Sequence, residues 1–162
     1  MCQVTKWKME IESMFYKKYF LFDEEVEIML PSILTAATTP FPLQYYWTSQ
    51  DEKITVYITR GGSMDATEEF DTRLNEYYKR FGRDFSRFVC NHIAKRKING
   101  RSYGEMRYTS YMMGYPFFTI FLLGTYKARE LLILIQHVGN EFEEDLHIFE
   151  NVLDSVKIAR NC

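Results

Sequence analysis

Cys90, His92 and Arg107 would bring a thiol, an imidazole and a guanidinium together if the chain folds back on itself at Asn99-Gly100. A thiol beside a histidine is the pairing a cysteine nucleophile needs, because an adjacent base helps generate the reactive thiolate. A type I′ turn requires positive φ at both central residues, which Asn-Gly adopts at little cost, so residues 85–98 and 101–113 are expected to form a hairpin. With a two-residue turn, Ile98 faces Arg101, Arg96 faces Tyr103, Ala94 faces Glu105, His92 faces Arg107 and Cys90 faces Thr109, all on one face. No glycine-rich oxyanion or phosphate loop accompanies them. The reading favoured is therefore an exposed sheet face with cross-strand pairs, and no enzymatic activity is expected.

The same hairpin is basic at Lys95, Arg96, Lys97, Arg101 and Arg107, with Tyr103 and Tyr108 interleaved. A ribbon of this kind can hold single-stranded nucleic acid, but the chain carries a net charge of −2, without the large basic field that phosphates need. A charged rim that blunts a sheet edge, or a surface for an acidic protein partner, fits better. The three histidines, His92, His137 and His147, show no metal-ligand spacing with cysteine or carboxylate, so no metal and no cofactor are expected. Gly61-Gly62-Ser63 lacks the lysine of a phosphate loop and reads as a turn before a helix.

Two stretches suit a protein partner. The proline-rich run 31–43 carries Ile33, Leu34, Phe41 and Leu43 and leads into Tyr45, Tyr46 and Trp47; if the last three form a strand, at least one faces outward. Tyr111, Met112, Met113 and Tyr115 combine soft and aromatic side chains, a composition that accommodates varied partners. The candidate binding residues are thus Phe41, Tyr45, Tyr46, Trp47, Arg96, Arg101, Tyr103, Arg107, Tyr111 and Met112.

A chain of 162 residues fits one domain with a full core, here a short segment 1–14 followed by a core over 15–158. Hydrophobic content of 46% against 26% charged points to a folded protein. Cysteines number three, Cys2, Cys90 and Cys162, an odd count that implies no disulfide framework and a reducing compartment. No apolar run reaches the length of a membrane span, and residues 1–12 lack the apolar core of a signal peptide. A cytoplasmic location is expected.

Strands are expected at 15–22 and 25–30 as a hairpin, with 31–43 as an irregular crossing loop. A second hairpin follows over 44–48 and 53–60, ended by Gly61-Gly62. A helix over 67–81 is announced by Asp65 and Glu68 as a capping box, by the stripe Phe70, Leu74, Tyr77, Phe81, and by Gly82 at its end. Residues 4–14 fit strand and helix spacing alike. Phe117–Tyr126 and Glu130–Val138 are apolar on both parities, so they are central strands covered on both faces. The turn between them is too short for a parallel crossover, so they pair antiparallel. A last helix over 141–155 carries Phe142, Leu146, Phe149 and Leu153. Two amphipathic helices and a long antiparallel sheet give an α+β fold with helices packed on the sheet's faces.

This layout, from the strand ending in Leu30-Pro31 to the closing run Phe149–Ile158, resembles the Mog1/PsbP-like fold family, an α/β/α sandwich. The resemblance implies a non-enzymatic binding domain, since relatives of this fold include extrinsic photosystem subunits, a nuclear import factor, periplasmic lipoproteins and secretion chaperones. The pattern contains no catalytic motif, and no site residues carry over from it. The expectation is a protein-binding domain: a chaperone, adaptor or immunity-type protein of a bacterial secretion or competition system. A small-molecule or lipid carrier, with a cavity between sheet and helices, is the alternative. A Cys90–His92 enzyme ranks below both.

Overall fold

Three tight turns organise the second half of the chain. Asn99-Gly100, Met113-Gly114 and Lys127-Ala128 each hold two successive residues at positive φ, the backbone of a type I′ turn, whose twist matches that of the strands it joins. The residue pairs Ile98–Arg101, Met112–Tyr115 and Tyr126–Arg129 face each other across them. Four strands therefore follow one another as an antiparallel meander. Gly114 and Pro116 mark a hairpin and not the break that their residue types suggest.

The computed structural model describes residues 15–39, 44–65 and 70–159. The expectations for residues 1–14, for Pro40, Phe41 and Pro42, and for the capping residue Glu68 fall outside them. In chain order the elements are β1 (Tyr16–Leu21), β2 (Val26–Pro31), β3 (Leu34–Ala37), β4 (Tyr45–Ser49) and β5 (Ile54–Ser63). They continue with α1 (Phe70–Asp84), β6 (Ser86–Ile98), β7 (Arg101–Met112), β8 (Tyr115–Tyr126), β9 (Arg129–Val138), a 3-10 turn (Phe142–Asp145), α2 (Leu146–Asp154) and β10 (Lys157–Ile158).

The strands form two sheets instead of one: a seven-stranded sheet in the order β3-β4-β5-β9-β8-β7-β6 and a three-stranded sheet β1-β2-β10. Neighbours in both sheets pair antiparallel. β8 and β9 lie in the interior of the large sheet, as their unbroken apolar runs require.

Four local expectations need correction. Part of the proline-rich run is the strand β3, paired with β4. β5 does not stop at Gly61-Gly62; it passes through a register irregularity there, where the Gly62 N–H donates to Glu130 Oε1 at 2.9 Å. Gly82 lies inside α1, because Phe85 stacks on Phe81 at 4.7 Å and extends the apolar stripe past the glycine. The last helix opens with a 3-10 turn, where the Asp145 carboxylate approaches His137 Nε2 at 3.1 Å and makes no cap.

Alternate residues of the central strands feed two separate apolar clusters. Ile120 and Leu122 of β8 with Ile133 and Ile135 of β9 pack against Phe149 and Leu153 of α2 and against Val26, Ile28 and Leu30 of β2. Phe121 and Leu123 point the other way, toward Phe70 and Leu74 of α1, with Met106 and Tyr108 of β7. Helices thus cover opposite faces of the large sheet, and the small sheet shares the α2 side.

One contact in the first cluster is close enough to test. A Cβ on Gly124 would sit 2.6 Å from Tyr103 Cε1 and 2.7 Å from Cδ1, and the Tyr103 ring is only 1% exposed. Gly124→Ala is expected to lower the unfolding free energy by about 1–3 kcal/mol, the usual cost of overpacking, in urea denaturation. Introducing Tyr103→Leu alongside should return part of that loss. An equal loss in both backgrounds would show that the tyrosine ring is not the cause.

Candidate functional site

β6 and β7 carry most of the residues whose chemistry stands out in the sequence, and one extra residue decides how they are arranged. Cys90 pairs with Tyr108 and His92 with Arg107, so Asn91 is an insertion in β6 without a counterpart in β7. Such a bulge reverses the alternation of side chains beyond it. Cys90 consequently packs with the α1-side cluster around Tyr108 and Phe81, and does not face Thr109 as a regular register predicts. His92 stays on the α2 side, where its Nε2 lies 3.1 Å from Glu105 Oε2. The thiol and the imidazole are on opposite faces. Burial also pushes the Cys90 thiol above its ordinary pKa, away from the thiolate that nucleophilic chemistry needs.

From His92 to Ile98 the register runs unbroken, and the α2-facing residues assemble an ion cluster. Arg96 Nη1 donates to Glu105 Oε1 at 2.8 Å, while its Nη2 donates to Glu150 Oε2 and to Asp154 Oδ1, each at 2.7 Å. Arg107 Nη2 donates to Glu105 Oε1 at 3.2 Å and also to Glu150 Oε1. Glu105 is buried, with a side chain 5% exposed, and is bridged by both arginines and His92. Burial alone would lower the pKa of Arg96, but Asp154, Glu150 and Glu105 outweigh it and hold the guanidinium above its ordinary range. Burial would raise Glu150, but Arg107 and Arg96 outweigh it and hold that carboxyl below its ordinary value of 4.5. At the hairpin tip, Asn99 Nδ2 donates to the carbonyls of Asp154 and Val156 at 3.2 and 2.8 Å, closing the end of α2. This face is therefore neither an exposed sheet face nor a free basic rim. Arg96 and Arg107 are engaged in fastening α2 to the hairpin.

The remaining predicted residues separate into buried and accessible groups. Tyr103 is buried, and its hydroxyl has no hydrogen-bond partner among the described residues. Arg101 Nη1 donates to the Thr125 carbonyl at 3.4 Å. Trp47 is a core residue, 2% exposed, and Tyr45 stacks beside it at 6.1 Å while its hydroxyl accepts the Phe22 N–H. Tyr46, half-buried and paired with Tyr57, lies on the opposite face of β4. Phe41 is outside the described residues. Tyr111 is half-buried under the Arg87 guanidinium, which stands 4.9 Å from its ring centre.

Met112, Met113 and Tyr115 project from the β7–β8 turn, 54%, 94% and 65% exposed. Val89 and Phe85, also exposed, lie at the same end of the sheet, because Ser86 pairs with Tyr111 and Val89 with Thr109. Of the two expected partner surfaces, this one is displayed.

Two carboxylates escaped the sequence reading. Glu130 is 3% exposed and accepts the Tyr77 hydroxyl at 2.6 Å, and burial followed by that contact raises the tyrosine pKa. Asp145 reaches the buried His137. Neither lies in a motif; the packing of α1 beside β9 and the return of the last helix bring these partners together. Among the described residues no group of histidine, cysteine and carboxylate side chains could hold a metal ion, and no helix is long and apolar enough to cross a membrane.

The ion cluster predicts a graded response. Glu105→Gln leaves two arginines short of their buried counter-charge and should cost about 3 kcal/mol, measured by urea denaturation at neutral pH. Glu150→Gln should cost less, about 1 kcal/mol, because that side chain is 37% exposed. Glu150 is held below its unfolded value, so its contribution is present above pH 4.5 and fades as the pH falls through the lower folded value. The gap between wild type and Glu150→Gln should therefore close on acidification. A gap that stays constant or widens would mean that the carboxylate charge is not what stabilises the contact.

No protein-family model matches the sequence, and comparison with curated proteins likewise finds no match. Solved structures do match. The Ran-binding protein Mog1p of Saccharomyces cerevisiae superposes with a TM-score of 0.63 at 8% identity, over 92% of this chain and 98% of that one. Cyanobacterial PsbP (CyanoP) from Synechocystis sp. PCC 6803 gives 0.63 at 9% identity, over 88% and 92%. LpqN of Mycobacterium tuberculosis, involved in cell envelope biogenesis, gives 0.51 at 7% identity, over 94% and 95%. At such identities the shared property is the fold, and over nearly its whole length the chain has the Mog1/PsbP-like fold.

Proposed function

We propose that this chain is a non-enzymatic protein-binding domain, acting in the bacterial cytoplasm as an adaptor, chaperone or immunity-type protein of a secretion or competition system. The observation that carries the reading is the apolar end of the large sheet. Met113 is 94% exposed and Tyr115 65%, and Met112, 54% exposed, pairs with Tyr115 across the turn. Contiguous exposed apolar side chains on a folded chain mark a contact surface, and methionine adapts to partners of varied shape. The Arg87 guanidinium over Tyr111 gives this end a cation-capped aromatic next to its exposed thioethers.

Two further features support binding over catalysis. The thiol and imidazole nearest each other in sequence are on opposite sheet faces. The likeness in fold to a Ran-binding protein agrees with a protein partner, although the partner itself need not be related. The carrier alternative draws less support, because apolar clusters pack on both sides of the central strands and the space between α1 and β6 is a groove open to solvent.

Affinity capture from lysate of the source organism tests the proposal. Wild-type protein is expected to retain a partner that Met113→Glu combined with Tyr115→Glu loses by at least about tenfold, with thermal stability unchanged since both side chains are exposed. Retention of no protein by the wild type, or equal retention by the variant, would overturn it.

A further inference from the structure

β6 is the terminal strand of the seven-stranded sheet, and among the described residues no strand pairs with its outer side. A strand edge of this kind offers backbone donors and acceptors to an incoming extended segment. Proteins commonly blunt such edges with bulges, and β6 has two irregularities, between Ser86 and Val89 and between Cys90 and His92. Both lie in its first half. From His92 to Ile98 every residue is in register with β7, so the second half is a regular template.

A groove runs beside that half, on the α1 side. Asp71, Thr72, Leu74 and Asn75 of α1, with Ile93 and Ala94 of β6, line an open groove of about 430 Å³. Ile93 is 48% exposed at its floor, next to the buried Leu74. Side chains on one face of an added strand would alternate along this groove, and an apolar one would cover Ile93. Lys95 and Lys97 follow Ile93 at two-residue intervals on the same face, opposite Gly104 and Ser102. Lys95 meets Asp71 at 3.3 Å, with both side chains more than half exposed, a pairing weak enough to be exchanged. Lys97 is exposed and has no partner among the described residues. Arg96 and Arg107 are satisfied by carboxylates within the hairpin and α2, whereas Lys95 meets only the exposed Asp71 and Lys97 meets no carboxylate among the described residues. They select the occupant: a second copy pairing through β6 would bring its own basic edge against them, whereas an acidic strand would be drawn in.

We propose that the edge of β6 from His92 to Ile98, with the groove between it and α1, receives an extended acidic segment of a partner protein as an eighth strand of the sheet. The inference rests on the protein-binding reading and adds a surface and a partner chemistry to it. An apolar side chain of the segment seats over Ile93 and Leu74, and carboxylates two and four positions along meet Lys95 and Lys97.

The test uses a fluorescent synthetic peptide about ten residues long whose alternate positions read valine, glutamate, glutamate with threonine between them, so that all three share one face of the added strand, and a control with lysine in place of glutamate. Anisotropy titration of the full chain is expected to detect the acidic peptide and not the basic one. Hydrogen exchange is expected to slow at amides of residues 92–98. Lys95→Glu with Lys97→Glu should weaken binding by about tenfold or more, and the melting temperature should hold because both side chains are exposed. Failure of the peptide to bind, equal binding by the charge-reversed protein, or slowing at another edge would overturn the proposal. Slowing at residues 92–98 that depends on protein concentration alone, with dimers in sedimentation, would assign the edge to a second copy and overturn it as well. The tip variant Met113→Glu, Tyr115→Glu should bind the peptide normally. Loss of the edge site therefore leaves the capture experiment on the apolar tip standing, and failure of that capture leaves the peptide titration interpretable.

Discussion

The structure depends on the burial of β8 on both faces and of β9 on its α2 face, with Leu132 and Leu134 of β9 half-buried on the α1 side. Ile120, Leu122, Ile133 and Ile135 on one face and Phe121 and Leu123 on the other are nearly or completely shielded from water. At about 25 cal/mol per Å² of apolar surface, a strand pair this apolar cannot leave either face uncovered. Each face needs its own cover, and the chain supplies two of different construction. On one side α1 contributes an aromatic cluster, in which Phe81 contacts Tyr77, Phe85, Phe88, Tyr108 and Phe121. On the other, α2 and the three-stranded sheet close over aliphatic side chains.

The two covers are secured by different physics. α1 is held chiefly by an aromatic cluster, with hydrogen bonds from Tyr77 to Glu130 and from Arg73 to the Ser63 carbonyl beside it. α2 is short, spanning Leu146–Asp154, and its buried residues Ile148, Phe149, Val152 and Leu153 leave little further apolar surface to anchor it. The ion cluster supplies direction instead. Arg96 and Arg107 both reach Glu150, Arg96 also reaches Asp154, and the Asn99 side chain takes the last carbonyls. Partly buried ion pairs contribute modest net free energy, but their geometry admits few alternatives. This explains two of the hairpin's basic residues: Arg96 and Arg107 face the acidic side of a helix that follows much later in the chain.

Much of the architecture was legible in the sequence because its signals are local or unmistakable. Asn99-Gly100 announced its turn, the runs 117–126 and 130–138 announced central strands, and the stripe Phe70, Leu74, Tyr77, Phe81 announced a helix. Signals that depend on distant partners were not legible. β3 is a strand because β4 lies beside it, and β10 is two residues long and exists only through its pairing with β2. Gly82 carries the mark of a helix end, yet Phe85 continues the aromatic cluster and draws α1 past it. Trp47 was as plausible outside as inside until the small sheet, through Tyr19, packed against it at 5.3 Å. Glu105 gave no sign of its importance, since a lone glutamate in a strand has no pattern to read.

The failure at Cys90 differs in kind, and it bears most directly on function. All of the expected hairpin but its end residues Phe85 and Met113 is strand, and the expected pairings from His92 onward are the ones observed, yet the chemistry inferred from them did not hold. Parity is a cumulative count, so a single unpaired residue at Asn91 exchanges the faces of everything on its far side. The bulge delivers the thiol to an apolar cluster, where burial raises its pKa, and leaves the imidazole with a carboxylate. It also divides β6 into an irregular half, which resists pairing, and a regular half, which does not. Side-chain composition alone would support a nucleophile, a nucleic-acid ribbon or a binding edge equally well. Backbone register separates them: it splits the nucleophile, turns the arginines inward to α2, and leaves Ile93, Lys95 and Lys97 in phase along the open edge.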